Sequence, residues 1–160
     1  ALIGTINAGF EWVGAPVVYG VELYNVNELV AQASGGRFDA LSLEAVFGFL
    51  FAPLAWAMGV GAADILQFGT LLGEKVAVNE FVAYASLRDL QGALSERSMI
   101  IGTYALCGFA NFSSIAIQIG GLGGIAPSRK SEIAALGLRA VLGGALASWL
   151  TATVAGVLVA

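Results

Sequence analysis

Polar side chains in the middle of an apolar run are the part of this sequence most suited to chemistry. Asn111 and Ser114 lie within the run from Ser98 to Ile119 and are three residues apart, so a helix would place them on one face. The same face would carry further polar side chains: Thr103, Cys107 and Gln118. Polar groups inside hydrocarbon need a hydrogen-bonding partner, and intramembrane polar residues often mark a substrate pathway.

Charged residues interrupt the apolar sequence before this run. Glu74, Lys75 and Glu80 lie close together, and each charge at the centre of a bilayer costs about 2.5–3.5 kcal/mol. A carboxylate can accept two hydroxyl hydrogen bonds at once, so Glu80 is suited to a sugar diol. The alternative is an internal ion pair, in which Lys75 meets Glu74 or Glu80 and only holds the local shape.

Small and polar residues crowd together at the middle of the apolar run, around Gly108 and Ser113. This pattern favours a broken helix whose freed backbone groups line a site, as in many transporters. We therefore favour a ligand role for Asn111 and Ser114. Hydrogen bonding or packing between helices is the preferred reading for the other polar side chains of the run: Thr103, Cys107, Ser113 and Gln118.

The composition places the chain in a membrane and excludes several functions. Hydrophobic residues make up 58% and charged residues 11%, whereas soluble domains hold roughly 45–50% and about 25%. The net charge of -4 and the absence of a basic face argue against nucleic acid. One cysteine and no histidine leave no disulfide and no Cys-based zinc site. A hydrolase could use Ser113 or Ser114 with Lys75 but lacks a Gly-x-Ser-x-Gly turn, so we expect no enzyme, metal or cofactor.

The hydropathy pattern predicts an all-α integral membrane protein. Residues 1–41 should hold the end of a membrane helix and a polar linker, and the missing initiator methionine suggests a longer protein. Four elements should follow: an interfacial helix at 42–60, a re-entrant helical hairpin at 61–92, a broken helix at 98–120 and a last membrane helix at 132–160. Ser42 is suited to cap the first of them. The hairpin arms of about 12 residues would reach ~18 Å, enough for mid-bilayer depth.

Three strings of residues are long and specific: Asn79-Glu-Phe-Val-Ala83, Cys107-Gly-Phe-Ala-Asn-Phe-Ser-Ser114 and Phe51-Ala-Pro-Leu-Ala-Trp-Ala-Met-Gly-Val60. The first two resemble the concentrative nucleoside transporter family, and the third is similar to the segment before that family's second hairpin. The resemblance covers the chain from Ser42 to its end. It implies a homotrimer that couples nucleoside uptake to a sodium or proton gradient, of which this chain is the C-terminal half of an inverted repeat.

The resemblance also implies roles for individual residues. Glu80, Asn111 and Ser114 match positions that bind the ribose, and Phe109 matches a position close to the ligand. The nucleobase contacts and most of the coupling-ion site, for sodium rather than a proton, would lie in a missing N-terminal half. The expected partners are therefore a nucleoside, the lipid bilayer, that missing half and two further copies, in a multi-pass protein of the cell membrane (the inner membrane in a bacterium). The alternative is a structural or regulatory membrane domain that packs with partner helices and transports nothing.

Overall fold

A computed structural model of the chain describes residues 2–18, 21–22 and 24–159, so the predicted outer limits at residues 1 and 160 lie outside the described residues. The described part is helical apart from one short strand pair. Its helices are α1 (Leu2–Gly14), α2 (Val26–Ala33), α3 (Leu43–Ala57), α4 (Ile65–Ala77), α5 (Glu80–Asp89), α6 (Glu96–Leu106), α7 (Phe112–Ile125) and α8 (Lys130–Leu158). Its strands, β1 (Val17–Val18) and β2 (Val21–Glu22), pair antiparallel with Val17 opposite Glu22.

The polar linker between α1 and α3 is held by asparagine side chains. Asn25 caps α2 by accepting a hydrogen bond from the Glu28 amide at 2.8 Å. The Asn27 amide donates to the Glu11 carbonyl at 2.9 Å and accepts from the Leu41 amide at 2.9 Å. Because one side chain reaches both α1 and Leu41, two residues before α3, the linker holds its two ends together. The strand pair between α1 and α2 differs from the all-α prediction.

Helices α3 and α4 pack closely because two glycines meet between them. Ser42 begins α3 as its predicted cap and accepts from the Ala45 amide at 3.1 Å. A Cβ at Gly69 would lie 2.5 Å from the Gly48 carbonyl oxygen, so only glycine fits at this point. The Thr70 hydroxyl adds a hydrogen bond of 2.9 Å to the Glu44 carbonyl.

Helices α4 and α5 follow each other with only Val78 and Asn79 between them and pack together. Asn79 caps α5, because its side-chain oxygen accepts from the Val82 amide at 3.0 Å. The base of α4 is joined to the start of α6, where the Asp64 carboxylate accepts from the Ser95 amide and hydroxyl at 3.1 and 2.7 Å. An apolar cluster fills the space between the three helices: Leu71, Ala83, Leu87, Leu94 and Leu106.

The segment predicted as a broken helix is divided into α6 and α7, with the gap at residues 107–111. The break contains Gly108 at φ 124°, a left-handed conformation that favours glycine. The predicted end at residue 120 was wrong, since α7 continues to Ile125 through four glycines. Each such glycine costs a helix about 1 kcal/mol, and packing of α7 against α8 offsets this cost.

Helix α8 packs on α6 and α7 and dominates the C-terminal part. Together with the turn before it, α8 is the one helix in the described part that is long and apolar enough to cross a bilayer. Its buried small residues, such as Ala145, Ala152 and Gly156, let the neighbouring helices approach. Its exposed side is rich in large apolar side chains: Leu142, Leu146, Leu150 and Val154.

Replacing Gly69 by alanine should destabilise the protein by about 1–3 kcal/mol, the usual cost of overpacking. The added methyl would meet the Gly48 backbone, which cannot yield as a flexible side chain could. Gly120→Ala is the matched control, because a Cβ there meets nothing within 4 Å. The midpoint of thermal denaturation of the detergent-solubilised intact protein checks this. Equal midpoints for the two variants would contradict the close approach of α3 and α4.

Candidate functional site

Two of the predicted site residues bind each other where the helical hairpin formed by α4 and α5 meets the break between α6 and α7. The Asn111 side-chain amide donates to the Glu80 carboxylate, with 2.9 Å between Nδ2 and Oε2. Asn111 is completely buried and Glu80 is 9% exposed. The two residues are 31 positions apart in sequence, so the packing of α4 and α5 against α6 and α7 creates the contact.

Asn111 is held by the first turn of α7. Its side-chain oxygen accepts from the Ser114 backbone amide at 2.8 Å, while the Ser114 hydroxyl accepts from the Asn111 backbone amide at 3.3 Å. These reciprocal bonds form a capping box, which satisfies backbone donors that a helix start leaves unpaired. The Ser114 hydroxyl also donates to the Asn111 carbonyl at 2.7 Å. The predicted pair Asn111 and Ser114 therefore forms one buried unit.

Glu80 is the first residue of α5, directly after the capping residue Asn79. Since Glu80 touches the residue that caps α7, the N-termini of α5 and α7 converge on one point. A helix N-terminus carries partial positive charge and stabilises an anion by typically 0.3–1 kcal/mol at an exposed position. The partial positive charges of both helix starts therefore lie close to the Glu80 side chain.

The pair keeps hydrogen-bonding capacity that nothing in the described part uses. Glu80 Oε1 receives no hydrogen bond from the described residues, and the second hydrogen on Asn111 Nδ2 has no acceptor among them. The Asn111 oxygen is fully used, because it accepts from both the Ser114 amide and the Ser113 hydroxyl. The pair therefore offers one acceptor and one donor side by side.

Phe109 lies within the break, two residues before Asn111 in the sequence. It is 55% exposed, and it lines a cavity of about 530 Å³ between α7 and α8 together with Ser114 and Gln118. Neither Glu80 nor Asn111 is among the residues that line this cavity. Of the predicted site residues, the structure therefore brings together Glu80, Asn111 and Ser114, and Phe109 lines the cavity instead.

The polar side chains predicted to share one helix face do not do so, because the chain leaves the helix between Cys107 and Asn111. Thr103 hydrogen-bonds within its own helix to the Met99 carbonyl at 2.9 Å. Cys107 and Gln118 are exposed. Ser113 is the residue whose contact we missed, since its hydroxyl reaches Asn111 at 2.7 Å. The signal for it was its position two residues after a helix-capping asparagine.

Lys75 does not form the ion pair considered for it. Among the described residues it has no carboxylate within the 4.0 Å limit for an ion pair, and its Nζ instead donates to the Ser148 hydroxyl at 2.9 Å. The Trp149 ring lies 5.8 Å from the same nitrogen. Lys75 is fully buried, so it joins the hairpin to α8. The described residues include no cluster of three or more His, Cys, Asp or Glu side chains that could bind a metal.

Comparisons with known proteins identify the family. The family description "Na+ dependent nucleoside transporter C-terminus" matches residues 1–156. The chain is 45% identical over 149 residues to the uncharacterized transporter YutK of Bacillus subtilis (strain 168), covering 92% of this chain and 37% of that protein. It is 44% identical over 126 residues to the nucleoside permease NupC of Helicobacter pylori (strain ATCC 700392 / 26695), covering 76% of this chain and 30% of that protein.

Solved structures agree with the sequence matches. The structure of CNTnw in an inward-facing substrate-bound state aligns with a TM-score of 0.72 at 39% identity, over 82% of this chain and 33% of that chain. The chain thus spans well under half the length of these relatives. The matched family is one of membrane transporters rather than enzymes. The chain belongs to the concentrative nucleoside transporter family and corresponds to that family's C-terminal domain.

Proposed function

We propose that this chain forms the ribose-binding half of a secondary active transporter that carries nucleosides into the cell. The observation that carries the proposal is the contact between Glu80 and Asn111, which leaves one free acceptor beside one free donor. Two neighbouring hydroxyls fit this combination: one donates a hydrogen bond to the carboxylate, and the oxygen of the other accepts one from the Asn111 side-chain amide. A ribose presents such a vicinal pair. The permease NupC and the matched family description name nucleosides as the cargo of related proteins.

The remaining predicted residues have supporting roles in this proposal. The Ser114 proton is directed at the Asn111 carbonyl, so Ser114 serves the sugar as an acceptor through its remaining lone pair. Phe109, exposed in the break, provides an apolar surface next to the ligand. Sequestration from water strengthens each of these hydrogen bonds, because the effective dielectric constant is low there.

The rest of the transporter is proposed on the same basis. Helices α4 and α5, with 13 and 10 residues, are long enough for the arms of a re-entrant hairpin that reaches mid-bilayer depth. An N-terminal half would repeat this hairpin and the broken helix in inverted orientation and supply the nucleobase contacts. The complete protein would be a multi-pass homotrimer of the cell membrane. Sodium is proposed as the coupling ion because the matched family description names it.

A structural domain without transport is the other function considered. The exposed small residues of α8, Gly143 and Ala147, would then be its contact surface. This alternative does not explain why a carboxylate and an amide are buried together with unused hydrogen-bonding capacity.

Removing the charge of Glu80 should weaken uptake of radiolabelled uridine by the intact protein. Glu80→Gln replaces a charged acceptor by a weaker one, and we expect KM to rise by about tenfold to a hundredfold. Asn111→Ser removes the amide donor but keeps a good capping residue, and a similar rise is expected. Glu96→Gln, at the exposed start of α6, is the control. Uptake that is unchanged in both site variants would refute the ribose assignment.

Analogues that lack one ribose hydroxyl should compete poorly with uridine. A site that offers both a donor and an acceptor leaves one of them unpaired when a hydroxyl is missing, at a cost of about 1–3 kcal/mol. Inhibition constants of 2′-deoxyuridine and 3′-deoxyuridine measure this effect on the wild-type protein. Equal inhibition by uridine and both analogues would show that the hydroxyl pair is not recognised.

Uptake should depend on a sodium gradient. In proteoliposomes containing the intact protein, replacement of external sodium by choline at constant pH should abolish concentrative uptake. A protonophore should leave uptake driven by the sodium gradient unchanged. Uptake that follows an imposed pH gradient without sodium would instead assign the proton as the coupling ion.

A further inference from the structure

We infer that Ser113 is a positioning residue for substrate binding: its hydroxyl orients the Asn111 amide so that Nδ2 faces Glu80 and the sugar. The inference rests on the proposed function, and it adds a residue that the sequence pattern assigned to helix packing. It begins from the hydrogen bond of 2.7 Å between Ser113 Oγ and Asn111 Oδ1.

The direction of every hydrogen bond around the Asn111 side chain is determined by its partners. The Ser114 backbone amide can only donate, so the atom it reaches at 2.8 Å must be the amide oxygen. The Glu80 carboxylate, when ionised, can only accept, so the atom facing it at 2.9 Å must be the nitrogen. These two contacts identify which atom is the oxygen and which is the nitrogen, and the Ser113 hydroxyl is a second donor that holds the oxygen in this position.

Ser113 completes this arrangement by occupying the second lone pair of the Asn111 oxygen. With both lone pairs of Oδ1 used, this oxygen cannot accept a hydrogen bond from the ligand. Asn111 therefore acts toward the sugar only as a hydrogen-bond donor. A fixed donor beside a fixed acceptor loses little conformational freedom when the ligand binds. Without the Ser113 hydroxyl, Asn111 Oδ1 accepts only from the Ser114 amide. Its other lone pair is then free to compete with Glu80 for the sugar hydroxyls.

Ser113 can be replaced without disturbing the core. It is exposed on the first turn of α7, whereas Asn111 and Ser114 are buried. The capping box uses Asn111 and Ser114 alone and does not include the Ser113 hydroxyl. A loss of binding in a Ser113 variant can therefore be separated from a loss of the helix start.

The test compares uridine uptake by variants of the intact protein. Ser113→Ala should raise KM about three- to tenfold, the change expected for one net hydrogen bond, with Vmax unchanged. Ser113→Thr keeps the hydroxyl and should restore KM to near the wild-type value. Ser131→Ala, which removes an exposed serine from the first turn of α8, is the matched control and should change neither parameter.

A double-variant measurement tests the route of the effect. In the Asn111→Ser background, Ser113→Ala should cause no further rise in KM, because the group it orients is gone. Additive rises in the two backgrounds would overturn the positioning role, as would an unchanged KM in Ser113→Ala when Asn111→Ser alone raises KM. An unchanged KM in Asn111→Ser itself would overturn the proposed ribose site and this inference together.

Discussion

The buried hydrogen bond between the Asn111 amide and the Glu80 carboxylate is the contact on which the rest of the site depends. A carboxylate can be kept in an apolar environment only when donors and favourable dipoles surround it. Asn111 supplies the donor, and the converging starts of α5 and α7 supply the dipoles. The break in the apolar run places the start of α7, with its backbone N–H groups, in the middle of the run. A continuous helix would present only side chains at this point.

The surrounding packing fixes the two sides of this contact. Gly48 and Gly69 let α4 approach α3 closely, and Asp64 joins the base of the hairpin to the start of α6 through Ser95. On the far side, Lys75 reaches α8 through Ser148. The hairpin is therefore held against its neighbours at its base and along its length, which keeps Glu80 in reach of Asn111. Precise binding of a small polar ligand requires that neighbouring residues hold the binding side chains in place in this way.

Local sequence was sufficient to predict features whose partners lie a few residues apart. Ser42 as a helix cap follows from such spacing, and the interruption near Gly108 follows from the local crowding of small and polar residues. Local sequence could not predict contacts between residues that are distant in the chain. Lys75 binds Ser148, which is 73 residues away, whereas the local pattern offered only Glu74 or Glu80 as its partners. The end of α7 was misplaced because helix propensity penalises glycine, and packing against α8 outweighs that penalty. Glu80 and Asn111 were linked in advance by family resemblance alone, since 31 residues separate them.

The most direct measurement of the central claim is a structure of the intact protein with uridine bound. We expect one ribose hydroxyl within about 3.2 Å of Glu80 Oε1 and its neighbour at the same distance from Asn111 Nδ2. We also expect that the bond between Asn111 and Glu80 remains and that the Ser113 hydroxyl still faces the Asn111 oxygen. A ribose bound away from both residues, for example in the cavity between α7 and α8, would refute this mode of binding.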